Sequence, residues 1–106
     1  MIAKENLYIA DSKIHGKGLF SLVNIKSNEV ITLVAILNES QDKCIQITDF
    51  GGMVNHQKNG NVIAIYDDRQ VFICAIKDIP AHTEITSDYS FIPPFFSKNT
   101  EGYKEL

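Results

Sequence analysis

The chain contains few residues of the types that mark disulfide-rich or metal-bound proteins. Its 106 residues include two cysteines, three prolines and no tryptophan. Two cysteines, Cys44 and Cys74, are too few for a disulfide framework or for a closed four-ligand zinc site. The two cysteines could form one disulfide or remain as two buried thiols in a reducing compartment. The second alternative is favoured.

Long apolar runs and an excess of basic residues are also missing. The apolar stretch at residues 23–38 is interrupted by Lys26, Asn28 and Glu29, whereas a membrane span needs about 20 apolar residues. Residues 1–6 lack the apolar segment of a signal peptide. We therefore expect an intracellular protein, cytoplasmic or nuclear in a eukaryotic host, that is neither secreted nor bound to a membrane.

The charge balance narrows the class of partner. Ten Lys and Arg against thirteen Asp and Glu give a formal net charge of −3. This argues against a dedicated nucleic-acid binder, which usually carries a basic excess. It is compatible with a basic partner such as a lysine-rich peptide. The length and the 44% hydrophobic content are those of one soluble globular domain spanning residues 1–106.

Short apolar, β-prone segments separated by turns fill most of the chain. No stretch longer than about 12 residues shows sustained helical spacing. The Gly51-Gly52 pair allows no more than a single helical turn within residues 49–55. The sequence predicts a mostly β domain with little helix, with strands at residues 7–10, 19–23, 30–37, 44–48, 62–66 and 70–76.

Two segments that lie 54 positions apart resemble each other. Residues 24–32 (NIKSNEVIT) and 78–86 (DIPAHTEIT) share an apolar anchor, a turn and the start of a strand. Asn28 and His82 occupy the same place in the turn, and both residue types tolerate positive φ better than most. Chance similarity of two β-turns remains the alternative.

Three further segments, taken together, resemble a SET domain, the fold of most protein-lysine methyltransferases. Residues 12–20 (SKIHGKGLF) resemble the family's Gly-x-Gly with a following apolar pair. Residues 54–61 (VNHQKNGN) resemble its Asn-His motif, which ends in a second Asn. Residues 76–89 (IKDIPAHTEITSDY) resemble its final motif, Glu-aliphatic-x-x-Asp-Tyr. The resemblance covers about residues 7–91 and leaves an aromatic and polar tail at 92–106.

This resemblance implies a β-clip fold with a C-terminal pseudoknot, and it accounts for the two similar turns. It also implies S-adenosyl-L-methionine as the cofactor. The chain departs from the family pattern at the two turn positions, where Gly is usual. It has no cysteine-rich segment, so no metal is expected. The very short connection between Leu37 and Val54 resembles minimal viral or bacterial SET proteins, which predicts a homodimer.

The resemblance also assigns cofactor-binding residues. Gly16, Lys17 and Gly18 would hold the methionine end of the cofactor, with Lys17 close to its carboxylate. Glycines suit this place because they let the backbone approach a ligand closely. Asn55 and His56 would contact the cofactor through the side-chain amide and backbone groups.

Tyr89 is the predicted catalytic residue, because the family's tyrosine hydroxyl lies beside the transferring methyl group. Phe95, with Phe91 and Phe96, would either cover the adenine or the lysine channel or pack against the domain itself. The implied function is methyl transfer to a deprotonated lysine of a protein or peptide, such as a histone-like tail or another basic protein. The alternative is a SET-like binding or interaction module without catalysis.

Overall fold

Eight strands and two short 3₁₀ helices make up the regular structure of residues 1–88, the part of the chain that the computed structural model describes. Strands account for 48% and helices for 7% of it, which confirms the mostly β prediction. The strands are β1 (Leu7–Asp11), β2 (Lys17–Ser21), β3 (Val30–Leu37), β4 (Cys44–Ile47), β5 (Asn55–His56), β6 (Val62–Asp67), β7 (Gln70–Ala75) and β8 (Glu84–Ser87), and the helices are η1 (Lys4–Asn6) and η2 (Gly51–Met53).

The strands form one curled sheet in the order β1-β2-β8-β6-β7-β3-β4. Neighbours are antiparallel except at β8, which runs parallel to both β5 and β6. The largest fully buried apolar side chains lie inside the curl, where their removal from water stabilises the fold. They come from strands at both ends of the chain and from the two similar turns: Leu19, Ile25, Ile31, Leu37, Ile79 and Ile85.

The two cysteines form no disulfide, as the favoured alternative predicted. Their burial differs from the prediction, because both are only partly buried. Cys74 pairs with Ile63 across β6 and β7, on the face of the hairpin that points away from the core. Partial burial raises the pKa of the Cys44 thiol above its ordinary value.

The two similar turns lie back to back and make equivalent contacts. Ile25 and Ile79 form an antiparallel bridge with two backbone hydrogen bonds of 2.8 Å. Asn28 and His82 adopt φ angles of 74° and 66°, so the positive φ expected at both positions is confirmed.

Side chains lock the two turns together reciprocally. The Ser27 N–H donates to the Asp78 carboxylate at 2.8 Å, and the Ala81 N–H donates to the Asn24 side-chain oxygen at 2.8 Å. Ser27 corresponds to Ala81 and Asn24 to Asp78, each 54 positions further on, so the two hydrogen bonds are equivalent. Chance similarity of the two turns does not explain this equivalence. The strands that follow the turns are also exchanged. β3 follows the first turn and pairs with β7, and β8 follows the second turn and pairs with β2.

The left-handed residue of the first turn provides a stability test. Asn28→Val should lower the free energy of unfolding by about 1–2 kcal/mol, because a β-branched residue is strained at positive φ. Asn28→Gly removes that strain and should leave stability unchanged or raised. Chemical denaturation of both variants checks this, and equal stability of the Val variant and the wild type would contradict it.

Strand boundaries differ from the prediction mainly at β2 and β5. β2 begins at Lys17 rather than residue 19, because the second glycine of the Gly-x-Gly motif pairs with Ala10 in the ladder. β5 was not predicted, since two residues give no periodic pattern. The predicted C-terminal pseudoknot cannot be traced within residues 1–88 alone and stays a prediction. No helix within residues 1–88 has the length and apolar character to cross a membrane.

Candidate functional site

Ser12 organises the β1–β2 loop, residues 12–16. Its Oγ accepts hydrogen bonds from the Ile14 N–H at 2.9 Å and the His15 N–H at 3.2 Å. Its own N–H donates to the Gly16 carbonyl at 2.8 Å. A serine that bonds to backbone groups two and three residues further on is a local device for closing a tight turn. The loop therefore has a defined shape although most of it is exposed.

Asn55 connects this loop to β5, and it is buried, with 2% of its surface exposed. Its side-chain NH₂ lies within hydrogen-bonding distance of four acceptors on three segments. They are the Ser12 Oγ (3.1 Å), the His15 carbonyl (3.1 Å), the Lys17 carbonyl (2.9 Å) and the Glu84 Oε2 (2.8 Å). Because the two carbonyls and the carboxylate can only accept, the amide must face them with nitrogen rather than oxygen.

The side-chain oxygen of Asn55 accepts no hydrogen bond from any residue in the described range 1–88. It points away from the amide nitrogen, and hence away from the four acceptors. A buried polar atom without a partner costs about 1–3 kcal/mol, and buried polar groups are normally satisfied by protein, water or ligand. Among residues 1–88, the Asn55 oxygen is therefore a buried acceptor without a hydrogen-bond donor, beside the Gly-x-Gly segment.

Glu84 completes the cluster from the first position of β8. Its two carboxylate oxygens lie 2.8 and 2.9 Å from the Ser12 Oγ, which donates to them, and Oε2 also accepts from Asn55. A Cβ on Gly18 would lie 2.7 Å from the Glu84 carboxyl carbon and 3.2 Å from the Ser12 Cβ. The second glycine of the motif therefore makes room for Glu84, which was not foreseen from the sequence.

Gly16 and Gly18 are glycines for different physical reasons, since Gly16 has a left-handed backbone. Its φ is +46°, and a Cβ built on it would meet no atom within 4 Å. The backbone is left-handed there, and the space beside it is open. Among the described residues, nothing near this glycine would block the close approach of a ligand.

The contrast between the two glycines predicts different consequences. Gly18→Ala should lower the free energy of unfolding by about 1–3 kcal/mol, because the methyl group meets a carboxylate held on two sides. Gly16→Ala has the space and bears only the left-handed strain of about 1–2 kcal/mol. In an NMR spectrum, Gly18→Ala should shift the Ser12 and Asn55 signals. Unperturbed Asn55 side-chain signals in the Gly18 variant would contradict the packing.

Lys17 is engaged by an exposed partner. Its Nζ lies 2.6 Å from the Asp11 Oδ1, across the first pair of the β1–β2 ladder. The hydrogen bond from Lys17, together with its charge, lowers the pKa of the Asp11 carboxyl. A ligand carboxylate at this ammonium would have to compete with Asp11.

Residues of segment 54–61 bind β8 through strand pairing and side-chain hydrogen bonds. His56 is exposed and pairs through its backbone with Ser87. Asn61 donates to the Glu84 carbonyl at 2.9 Å and accepts from the Thr86 N–H at 2.9 Å. The second Asn of the motif thus holds the strand that leads to Tyr89.

The structure brings Gly16, Gly18 and Asn55 together, with Lys17 at the outer edge and His56 on the adjoining strand. Tyr89 and Phe95, the predicted catalytic and channel-covering residues, lie outside the described residues. Two site residues, Ser12 and Glu84, were missed. Both lie in segments that the sequence had singled out, yet Ser and Glu are so common that neither gave a signal alone. No group of three His, Cys, Asp or Glu suited to a metal occurs within residues 1–88.

Comparisons with known proteins agree on the fold. A Plasmodium falciparum protein, solved as a candidate histone methyltransferase, superposes with a TM-score of 0.62 at 27% identity, over 79% of this chain and 92% of that one. A humanized Chaetomium thermophilum Polycomb Repressive Complex 2 with a bound inhibitor gives 0.65 at 19% identity, over 83% and 15%. An apo form mutated in its Ezh2 subunit gives 0.66 at 17%, over 84% and 16%. The last two share the fold alone.

The sequence comparisons identify the family. No curated protein sequence matches the chain. The family model of the SET domain matches residues 37–90, which is 54 of 106 residues. Because this match spans more than half of the chain, the chain belongs to the SET domain family.

Proposed function

We propose that the protein is an S-adenosylmethionine-dependent protein-lysine N-methyltransferase. Membership of the SET domain family and the likeness to solved histone methyltransferases support the reaction class. The observation that carries the proposal is the buried Asn55 amide, whose NH₂ is held by the His15 and Lys17 carbonyls while its oxygen has no donor among residues 1–88. A buried acceptor in that state is normally satisfied by water or a ligand.

The residues present fit this cofactor. The open Asn55 oxygen suits the ammonium group of its methionine end, and the left-handed Gly16 leaves space for close approach. The exposed Lys17 ammonium would bind the carboxylate of the cofactor, in place of its present partner Asp11. When bound, the cofactor supplies a sulfonium methyl group.

The substrate amine must arrive neutral, although the ordinary pKa of a lysine side chain is about 10.4. Burial in a channel lowers the pKa of an amine, because it disfavours the charged form. Tyr89 is proposed to align this amine through its hydroxyl, since orientation can supply roughly 7–11 kcal/mol of a barrier. No side chain is assigned as a general base. The net charge of −3 favours a lysine-rich protein or peptide as the substrate.

Labelled methyl transfer tests the proposal. The purified chain is incubated with methyl-labelled S-adenosylmethionine and a panel of basic proteins and peptides, including histone tails, and the products are located by mass spectrometry. We expect label on lysine with the wild type and none with Asn55→Ala. Cofactor binding without label on any lysine would instead favour a SET-like binding module.

The homodimer predicted from the sequence stays part of the proposal. Light scattering coupled to size-exclusion chromatography should give a mass near twice that of one chain. A single-chain mass at all concentrations tested would contradict it.

A further inference from the structure

Glu84 is a partly buried carboxylate that, among the described residues, accepts its hydrogen bonds from neutral donors. Its three hydrogen bonds come from the Ser12 hydroxyl, which faces both of its oxygens, and from the Asn55 amide. The nearby Lys17 pairs with Asp11 instead, and Glu84 forms no ion pair with any residue in the range 1–88. Hydrogen bonds to an ionised acceptor are shorter and roughly twice as strong as neutral ones.

These hydrogen bonds continue into the backbone of the β1–β2 loop. The Ser12 hydroxyl gives its single proton to Glu84, which leaves its lone pairs for the Ile14 and His15 N–H groups. If Glu84 is removed, the hydroxyl is free to rotate and to donate elsewhere. The orientation that closes the loop is therefore fixed from β8, 72 positions along the chain.

The same carboxylate fixes the direction of the Asn55 amide. Two of the four acceptors around its nitrogen, Glu84 Oε2 and the Lys17 carbonyl, lie at 2.8 and 2.9 Å and are the nearest. The negative charge at Glu84 makes the reversed amide, with oxygen facing Oε2, repulsive. The Asn55 oxygen is thus kept on the opposite side, where the proposed ligand would meet it.

We infer that Glu84 and Ser12 are positioning residues that hold the β1–β2 loop and the Asn55 amide in their ligand-binding arrangement before the ligand arrives. This inference rests on the proposed function, since the ligand is the cofactor named there. Preorganisation raises affinity by removing the cost of ordering the site on binding. Loss of either residue should therefore weaken cofactor binding and loosen the loop, without unfolding the sheet.

Two measurements on the full chain test the inference. The first is the dissociation constant for S-adenosylmethionine, which should rise at least about tenfold in Glu84→Ala and Ser12→Ala, corresponding to 1.4 kcal/mol. Glu84→Gln keeps one acceptor oxygen and should fall between the wild type and Ala. Glu29→Ala is the matched control, because Glu29 also accepts a local hydrogen bond, from the Lys26 N–H at 3.1 Å, but lies outside the site.

The second measurement separates positioning from a general loss of stability, and it needs no cofactor. Amide exchange followed by NMR should become faster at Ile14 and His15 in both Ala variants, while the β7 amides keep their protection. Ser12→Ala remains informative should Glu84→Ala not fold, because Ser12 lies at the start of a loop.

The outcomes are distinguishable. A wild type that binds, with folded variants that bind equally well or keep wild-type exchange at Ile14 and His15, overturns the positioning role alone. A wild type that does not bind S-adenosylmethionine overturns the proposed function, and with it the cofactor part of this inference. Weakened binding together with faster local exchange supports both.

Discussion

Tyr89→Phe is expected to reduce methyl transfer by at least about tenfold while leaving the affinity for S-adenosylmethionine unchanged. A tenfold loss corresponds to about 1.4 kcal/mol of transition-state stabilisation. In the proposed mechanism the Tyr89 hydroxyl would act on the reacting groups and not on the anchoring end of the cofactor, so its loss would affect the step in which charge is redistributed. Initial rates at saturating cofactor and calorimetric affinities measure the two quantities separately.

Tyr8→Phe is the matched control. The Tyr8 hydroxyl forms a hydrogen bond with His82 Nδ1 at 2.8 Å, and its ring stacks on Phe20. Its loss should leave turnover within about twofold of the wild type. Unchanged turnover in Tyr89→Phe would remove Tyr89 from the mechanism.

Asn55→Ala should abolish measurable cofactor binding. The substitution removes the open acceptor and at the same time leaves the His15 and Lys17 carbonyls and the Glu84 carboxylate without the amide that joins them. The second effect predicts a loss of about 1–3 kcal/mol in the free energy of unfolding, the usual cost of unpaired buried groups. Binding must therefore be measured at a temperature at which circular dichroism shows the variant folded.

Asn38→Ala is the control for losing an asparagine that organises a loop. The Asn38 amide donates to the Asp42 carboxylate at 2.9 Å, and its oxygen accepts from the Asp42 and Lys43 N–H groups, in the exposed turn before β4. It should bind cofactor like the wild type. Retained affinity in a folded Asn55→Ala protein would show that the site lies elsewhere.

Most of the fold could be predicted from the sequence because the hydrophobic pattern matches the sheet. β3 occupies the predicted residues 30–37, and its burial pattern fits a strand buried along most of its length. The left-handed residues Asn28 and His82 were also foreseeable, because few residue types tolerate that conformation. The single turn η2 follows from the paired glycines.

The pairing of distant strands could not be predicted from local patterns. Nothing near Glu84 in the sequence indicates that it meets Ser12, since the contact depends on β8 lying beside β2. For the same reason Gly18 was assigned to a ligand, although its missing side chain makes room for Glu84. The motifs single out segments that the fold brings together, but the hydrogen bonds that join these segments depend on the tertiary fold.

Calorimetric titration of the wild-type chain with S-adenosylmethionine, and separately with its demethylated product, tests the central claim most directly. We expect saturable binding of both at a single site, lost in Asn55→Ala and retained in Asn38→Ala. A folded wild-type protein that gives no binding heat with either ligand at millimolar concentration would contradict the assignment of the Asn55 cluster as a cofactor site.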